Sequence, residues 1–373
     1  MSGPITIVCA VTNDLNQDQR MRKVCTSLYE AGYQVTLVGR SKRTSADLLP
    51  QAYRQVRLEV TPESGPRFYY NYNSKLEALL QEQKPHIIYS ADTDTLLACG
   101  RAKKQLRSKL ILDAHEYFVE VPELQSRPLK KLLWRAVEKR YIPTADACIT
   151  VSSSLAEVLG YRDGREYTVV RNVPLLGTTS QRPPRSEKKI MLYQGVLNKG
   201  RGLEQAIDSM ALLDDPSLEL HIVGGGDLEQ ELRTRAAATD YRDKIVFRGW
   251  LHGTALRQAT GEAWLGLNLL AVGSLNYKYS LANKFFDYMH AHVPSVNMSL
   301  PEYQTILRRH KVGVMCEKLS AESLAHAVRE VSDRKHRAMV AACTAAAEEY
   351  NWQQEQQVLL GLVARVAADQ ASL

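Results

Sequence analysis

Residues 280–294 read SLANKFFDYMHAHVP, and several of them could do chemistry together. The pattern predicts an amphipathic helix with Asn283 and Lys284 in its first turn. Phe285, Phe286 and Met289 would face inward, and Pro294 opens the next apolar run. A helix N-terminus presents free backbone N–H groups and the positive end of the peptide dipoles, so it suits a phosphate. Lys284 adds a mobile point charge. Asp287, one turn on, can accept hydrogen bonds from a ribose diol. A plain surface helix with a Lys–Asp pair would read the same in isolation, so the other segments have to decide.

Three stretches upstream extend the pattern. YQGVLNKGRGLEQAI (193–207) is a strand, a loop with Gly195, Lys199 and Arg201, then a helix; its two cations frame a helix start, a second grip for phosphate. HIVGGGDLEQEL (221–232) is a strand, a run of glycines that includes Gly224 and Gly225, and a helix. It lacks the G-x-G-x-x-G spacing of a dinucleotide fingerprint, and no acidic residue caps the following strand. KIVFRGW (244–250) then brings Trp250 and Leu251 to a strand end.

The N-terminal half offers different groups. ILDAHEYFVEVPE (111–123) ends a strand in Asp113, His115, Glu116 and Glu120, and of the nine histidines His115 has the best position for acid–base or electrostatic work near neutrality. In NDLNQDQR (13–20), Asp18 can cap a helix whose first turn holds Arg20, with Asn13 and Asp14 in the loop before it. Asp92-Thr93-Asp94 has the look of a metal motif, but the basic loops already supply charge for a diphosphate, so helix capping is the expected use and no metal is expected.

These groups need elements to hold them. The strands expected are 5–10, 34–39, 86–90, 109–115, 147–151 and 167–170, then 189–195, 218–225, 244–249, 264–270, 294–299 and 312–317. Short β-branched runs alternating with helix-length segments indicate parallel sheets covered on both faces. The polar stretch 176–188, with a Pro-Pro pair, reads as a linker. The expectation is therefore an α/β chain of two doubly wound, Rossmann-like domains: 1–175, then 189–350, with a closing helix over 351–373 packing back across the junction. Such sheets bind ligands at the carboxyl ends of their strands, in a cleft between the two domains.

Composition sets bounds. The 373 residues are 45% hydrophobic and 24% charged, ordinary for a globular chain long enough for two cores. No run of 18 apolar residues suggests a membrane span. Six scattered cysteines without a Cys-x-x-Cys pair fit buried free thiols in a reducing cytoplasm, without a zinc site. Of the net charge of +7, residues 1–180 hold most, with 25 Lys and Arg against 19 Asp and Glu. Helix LKKLLWRAVEKRY (129–141) concentrates it: Leu129, Leu132, Leu133, Ala136 and Val137 form one stripe, flanked by Lys130, Lys131, Arg135, Lys139 and Arg140. That helix suits either packing on its own domain or an anionic membrane surface. No nucleic-acid-binding signature accompanies the charge.

In order and spacing these segments resemble the family 4 (group 1) retaining glycosyltransferases of the GT-B fold. Asn283-Lys284 to Pro294 resembles the family's "(P)NKxFEYMxxGxP" helix, and HIVGGGDLEQEL and KIVFRGW resemble the two steps before it. The resemblance implies transfer of a sugar, with retention, from a nucleotide diphosphate sugar (UDP favoured, GDP as an option) to a saccharide, lipid-linked or other hydroxyl acceptor in surface-polysaccharide or glycolipid synthesis. No cofactor or metal would be needed. The donor would lie on Gly195, Lys199, Arg201, Gly224, Gly225, Trp250, Leu251, Ser280, Leu281, Ala282, Asn283, Lys284 and Asp287. Catalysis would rest on His115, Arg201 and Lys284, and the acceptor side on Asn13, Asp14 and Glu116. Of the family's E-x7-E acids the second falls on Asp287, while the first falls on Tyr279. The rivals are a nucleotide-sugar epimerase of the same fold and a non-catalytic nucleotide-binding relative.

Overall fold

The computed structural model describes residues 4–177 and 188–371. The expected linker falls largely on 178–187, outside the described residues. The chain divides into two compact units. The first comprises 1–172, 274–276 and 354–373, and the second 173–273 and 277–353.

The first unit is built on seven parallel strands: β1 (Thr6–Ala10), β2 (Gln34–Ser41), β3 (Arg54–Glu59), β4 (Ile87–Ala91), β5 (Lys109–Ala114), β6 (Ala147–Thr150) and β7 (Tyr167–Val169). Their order is β3-β2-β1-β4-β5-β6-β7. The central strands are buried along their length, which explains their unbroken apolar runs. β3 is absent from the expected strands. Its sequence, RQVRLE, alternates polar and apolar residues and lies on the sheet edge, where no second face demands apolar side chains. The helix Gln19–Glu30 starts on Asp18, whose carboxylate accepts the Met21 N–H at 2.9 Å, and ends before Gly32, at φ +91°.

The second unit has six parallel strands: β8 (Lys189–Gln194), β9 (Leu218–Val223), β10 (Ile245–Gly249), β11 (Leu265–Asn268), β12 (Ser295–Met298) and β13 (Gly313–Cys316), ordered β10-β9-β8-β11-β12-β13. In each sheet the strand order reverses once, beside β1 in the first and beside β8 in the second. Doubly wound sheets place their ligand crevice at such a switch point. The loops after β1 and β4 therefore flank one crevice position, and the loop after β8 flanks the other.

Two expected faces differ from the structure. In the helix Pro128–Tyr141, Leu129, Leu132 and Leu133 are 82%, 65% and 60% exposed. The inward face is Trp134, Val137 and Glu138. Trp134 packs edge-on against Tyr69 and Phe118 with centroids 5.1 and 5.3 Å away. Glu138 accepts the Thr93 hydroxyl at 2.9 Å and pairs with Arg162 at 3.0 Å. The larger aromatic surface and the paired carboxylate fix the rotation of the helix and turn the leucines outward. In the last helix, Trp352–Ala371, the sequence pattern puts Trp352, Val358, Leu359, Leu362 and Val363 on one apolar stripe; all are buried but Val358, which is exposed. All six cysteines are free and buried. No described helix is long and apolar enough to cross a membrane.

Candidate functional site

In the first unit, β5 delivers Asp113 to the sheet's carboxyl end, fully buried. A buried carboxylate needs several donors. Arg20 supplies a bidentate pair, Nε at 2.9 Å and Nη2 at 2.7 Å, and the Tyr89 hydroxyl of β4 donates at 2.6 Å. His115 Nε2 lies 3.0 Å from the same carboxylate, and its Nδ1 lies 3.1 Å from Asp92. Asp92 also accepts the His115 backbone N–H at 2.7 Å. Burial alone would lower the His115 pKa, but Asp92 and Asp113 more than offset it and hold it well above the ordinary histidine value. With a carboxylate near each ring nitrogen, the surroundings of His115 favour its imidazolium form. Asp113 itself, despite burial, is held far below the usual carboxylate range by Arg20 and His115.

Asp92 and Asp94 diverge. Asp92 turns to His115, while Asp94 accepts the Thr12 hydroxyl, and burial with the nearby Asp92 pushes Asp94 up to about 7. Asn13 donates to Asp18 at 2.9 Å. Asp14 is buried under Arg57 at 2.8 Å and accepts the Asn16 N–H and the Ser45 hydroxyl, so it anchors its own loop. Glu116 accepts from Asn276 Nδ2 at 3.1 Å. Glu120 is paired with Lys131 at 2.7 Å and Arg135 at 3.2 Å.

In the second unit the helix Asn283–His290 forms as its pattern dictates, with Phe285, Phe286 and Met289 each 1% exposed. Lys284 Nζ sits 3.7 Å from the centre of the Tyr193 ring. Burial and then the charge of Arg201 push its pKa well below the ordinary lysine value, and Asp287 opposes them. Arg201 lies over Tyr277 at 5.5 Å. Two basic side chains close enough to repel each other thus stand beside a helix start, with Asp287 as the opposing charge. Asp287 accepts from Gln194 Nε2 at 3.2 Å, and Gln194 Oε1 accepts the Thr260 hydroxyl at 2.8 Å. Ala282 N–H donates to the Tyr303 hydroxyl at 2.8 Å, and the Ser280 hydroxyl to the Tyr277 carbonyl at 2.9 Å. Lys199 stands exposed on its loop.

The glycines have a tighter reason than ligand access. A Cβ on Gly224 (φ +135°) would lie 1.8 Å from the Gly195 carbonyl oxygen, and one on Gly225 would lie 2.5 Å from Trp250 Nε1. They let the loops after β8, β9 and β10 meet. Trp250 is 55% exposed and stacks on His252, with centroids 6.1 Å apart and planes 5° apart, so it is a surface shelf rather than core. Leu251 packs against the cluster of Ile190, Leu192 and Val223.

A model described as "Glycosyl transferase 4-like domain" matches residues 17–174, and one described as "Glycosyl transferases group 1" matches 178–349. The chain is a group 1, family 4 glycosyltransferase. Solved structures place it in the GT-B fold. A sucrose-phosphate synthase from Thermosynechococcus elongatus is similar with a TM-score of 0.77 at 18% identity, over 98% of this chain and 100% of that one. A glycosyltransferase from Rickettsia africae gives 0.76 at 12%, over 98% and 99%. The HepE protein of Anabaena, solved with UDP-glucose, gives 0.75 at 13%, over 99% and 100%. A search of curated proteins gives no match.

Sequence reasoning about this glycosyltransferase missed Tyr89, Gln194 and Asn276, and saw Arg20 only as a first-turn residue. Arg20 and Asp113 are 93 positions apart, and no local spacing links them. Replacing Arg20 strands a buried carboxylate. Arg20→Met should lower unfolding free energy by about 3–5 kcal/mol in urea titrations. Asp113 is held below its ordinary 3.8, so its contribution is complete at neutral pH and lost only in acid. The deficit should persist from pH 8 to 5 and shrink below about pH 4.

Proposed function

We propose that this glycosyltransferase takes its sugar from a UDP-sugar and transfers it with retention at the anomeric carbon. The observation that carries the reading is the pair Arg201 and Lys284 at the start of the helix Asn283–His290, two neighbouring cations whose mutual repulsion an added diphosphate would relieve. Protein cations and helix dipoles then stabilise the leaving diphosphate, and no metal is required for that step. UDP is favoured because HepE, a protein of the same fold, was solved with UDP and with UDP-glucose. Asp287, oriented by Gln194, is the ribose acceptor, and Trp250 with Leu251 the base shelf.

His115 is assigned to the transferred sugar by resemblance. As an imidazolium between two carboxylates it orients and stabilises charge; it does not shuttle a proton. The leaving phosphate would take the acceptor's proton as the new glycosidic bond forms on the face the phosphate leaves. The acceptor is a saccharide or a lipid-linked hydroxyl, with Glu116 on its side. The site of action is an anionic membrane face, supported by the outward leucines of the helix Pro128–Tyr141 and its cations.

Three measurements test these assignments. Lys284→Ala and Arg201→Ala should each weaken UDP binding by roughly 1.5–3 kcal/mol in calorimetry, the range for hydrogen bonds to charged groups; unchanged binding in both would overturn the diphosphate site. His115→Ala should cut turnover by about 100-fold or more with UDP affinity little changed, and near-normal turnover would return His115 to a structural role. At low salt the protein should co-sediment with anionic and not with neutral vesicles, since each Lys or Arg near such a surface contributes about 1 kcal/mol. Equal partitioning to both, or none to either, would sink the membrane site and leave the transferase intact.

A further inference from the structure

Asn276 is buried, and both ends of its amide are used. Its Oδ1 accepts the Tyr117 backbone N–H at 3.0 Å, and its Nδ2 donates to the Glu116 carboxylate at 3.1 Å. An amide has one acceptor end and one donor end, so the Tyr117 bond dictates that a donor faces Glu116. The backbone around Asn276, residues 274–276, belongs to the same unit as Glu116.

Glu116 needs that donor. Asp92, Asp94 and Glu123 act on it as like charges, His115 as the opposing one, and the Tyr69 hydroxyl also senses it. Burial and Asp92 push the Glu116 carboxyl up to about 7, while Asn276 and His115 pull the other way. A carboxylate so placed is balanced between its two protonation states. The ionised form can accept a hydrogen bond from an acceptor hydroxyl. The protonated form presents a donor in its place.

We propose that Asn276 is a positioning residue for Glu116, holding it ionised and aimed, so that its effect on transfer passes through Glu116. The inference rests on the acceptor-side reading of Glu116 and adds the residue that keeps it competent. Asn276→Asp separates the two bonds, because it keeps an acceptor for the Tyr117 N–H and loses the donor to Glu116. In this variant the acidic limb of the pH profile of kcat/KM should move up by about one pH unit.

A second readout does not need turnover. Folded Glu116, at about 7, binds a proton more tightly than in the unfolded chain, where its ordinary value is 4.5. Its contribution to stability is therefore full in acid and declines as pH rises between those values. Asn276 softens the decline. The thermal stability deficit of Asn276→Asp should thus be larger at pH 8 than at pH 5, and adding Glu116→Gln, whose amide can donate to the new carboxylate, should abolish that difference. A deficit equal at both pH values, with the acidic limb unmoved, would overturn the proposal. If the wild type transfers from no UDP-sugar, the functional reading fails, and the pH-dependent deficit still decides whether Asn276 governs Glu116.

Discussion

One buried charge organises the first unit. Asp113, near the end of its strand, is fully buried, and its ionised form is held by Arg20, Tyr89 and His115, which all reach it. Arg20 also donates to the Val170 carbonyl at 2.9 Å. The first helix, β4, β5 and the chain just beyond β7 are thus tied at one carboxylate. Such a pair adds little stability over a packed apolar core, yet losing one partner is expensive. Its use here is geometric: it fixes the strand ends from which Asp92, His115 and Glu116 project.

The second unit has the opposite electrostatics. Where Asp113 is surrounded by donors, Lys284 is pressed onto an aromatic ring with Arg201 nearby. The ring face gives some attraction back, but the lysine is still driven towards its neutral form. Held that way, the pair costs folding energy. One unit pairs its buried charges to hold a shape, and the other sets a buried lysine beside an arginine, with Asp287 as the opposing charge.

Much of the fold was legible because parallel strands buried on both faces leave apolar runs, as β1, β4 and β8 do. β3 does not, since an edge strand with half-exposed positions can be written in polar residues. The helix Pro128–Tyr141 misled for a related reason. Its leucine stripe is the stronger periodic signal, but rotation was set by Trp134 meeting Tyr69 and Phe118, contacts that no periodicity encodes. The helix start that carries Asn283 and Lys284 was legible because its residues are neighbours in sequence. The Asp113 network and Asn276 were not, because their partners lie far along the chain.

The glycines of the second unit have a use inside the fold. The run Gly224-Gly225-Gly226 is one case. In the structure each has its own neighbour: the Gly195 carbonyl, Trp250 Nε1, and the Leu197 carbonyl, which a Cβ on Gly226 would approach to 2.7 Å. The Leu197 N–H donates to the Gly225 carbonyl at 3.0 Å, and the Leu228 N–H to the Leu197 carbonyl at 2.9 Å, so the loops after β8 and β9 are stitched into one layer. A methyl group at Gly224 would force those loops apart before any ligand arrived. The glycines therefore argue for a shape, and the charges on that shape argue for the ligand. Arg201 follows directly on one stitched loop and Lys284 reaches towards Gly195, so the same close packing that excludes side chains at three positions brings the two cations together.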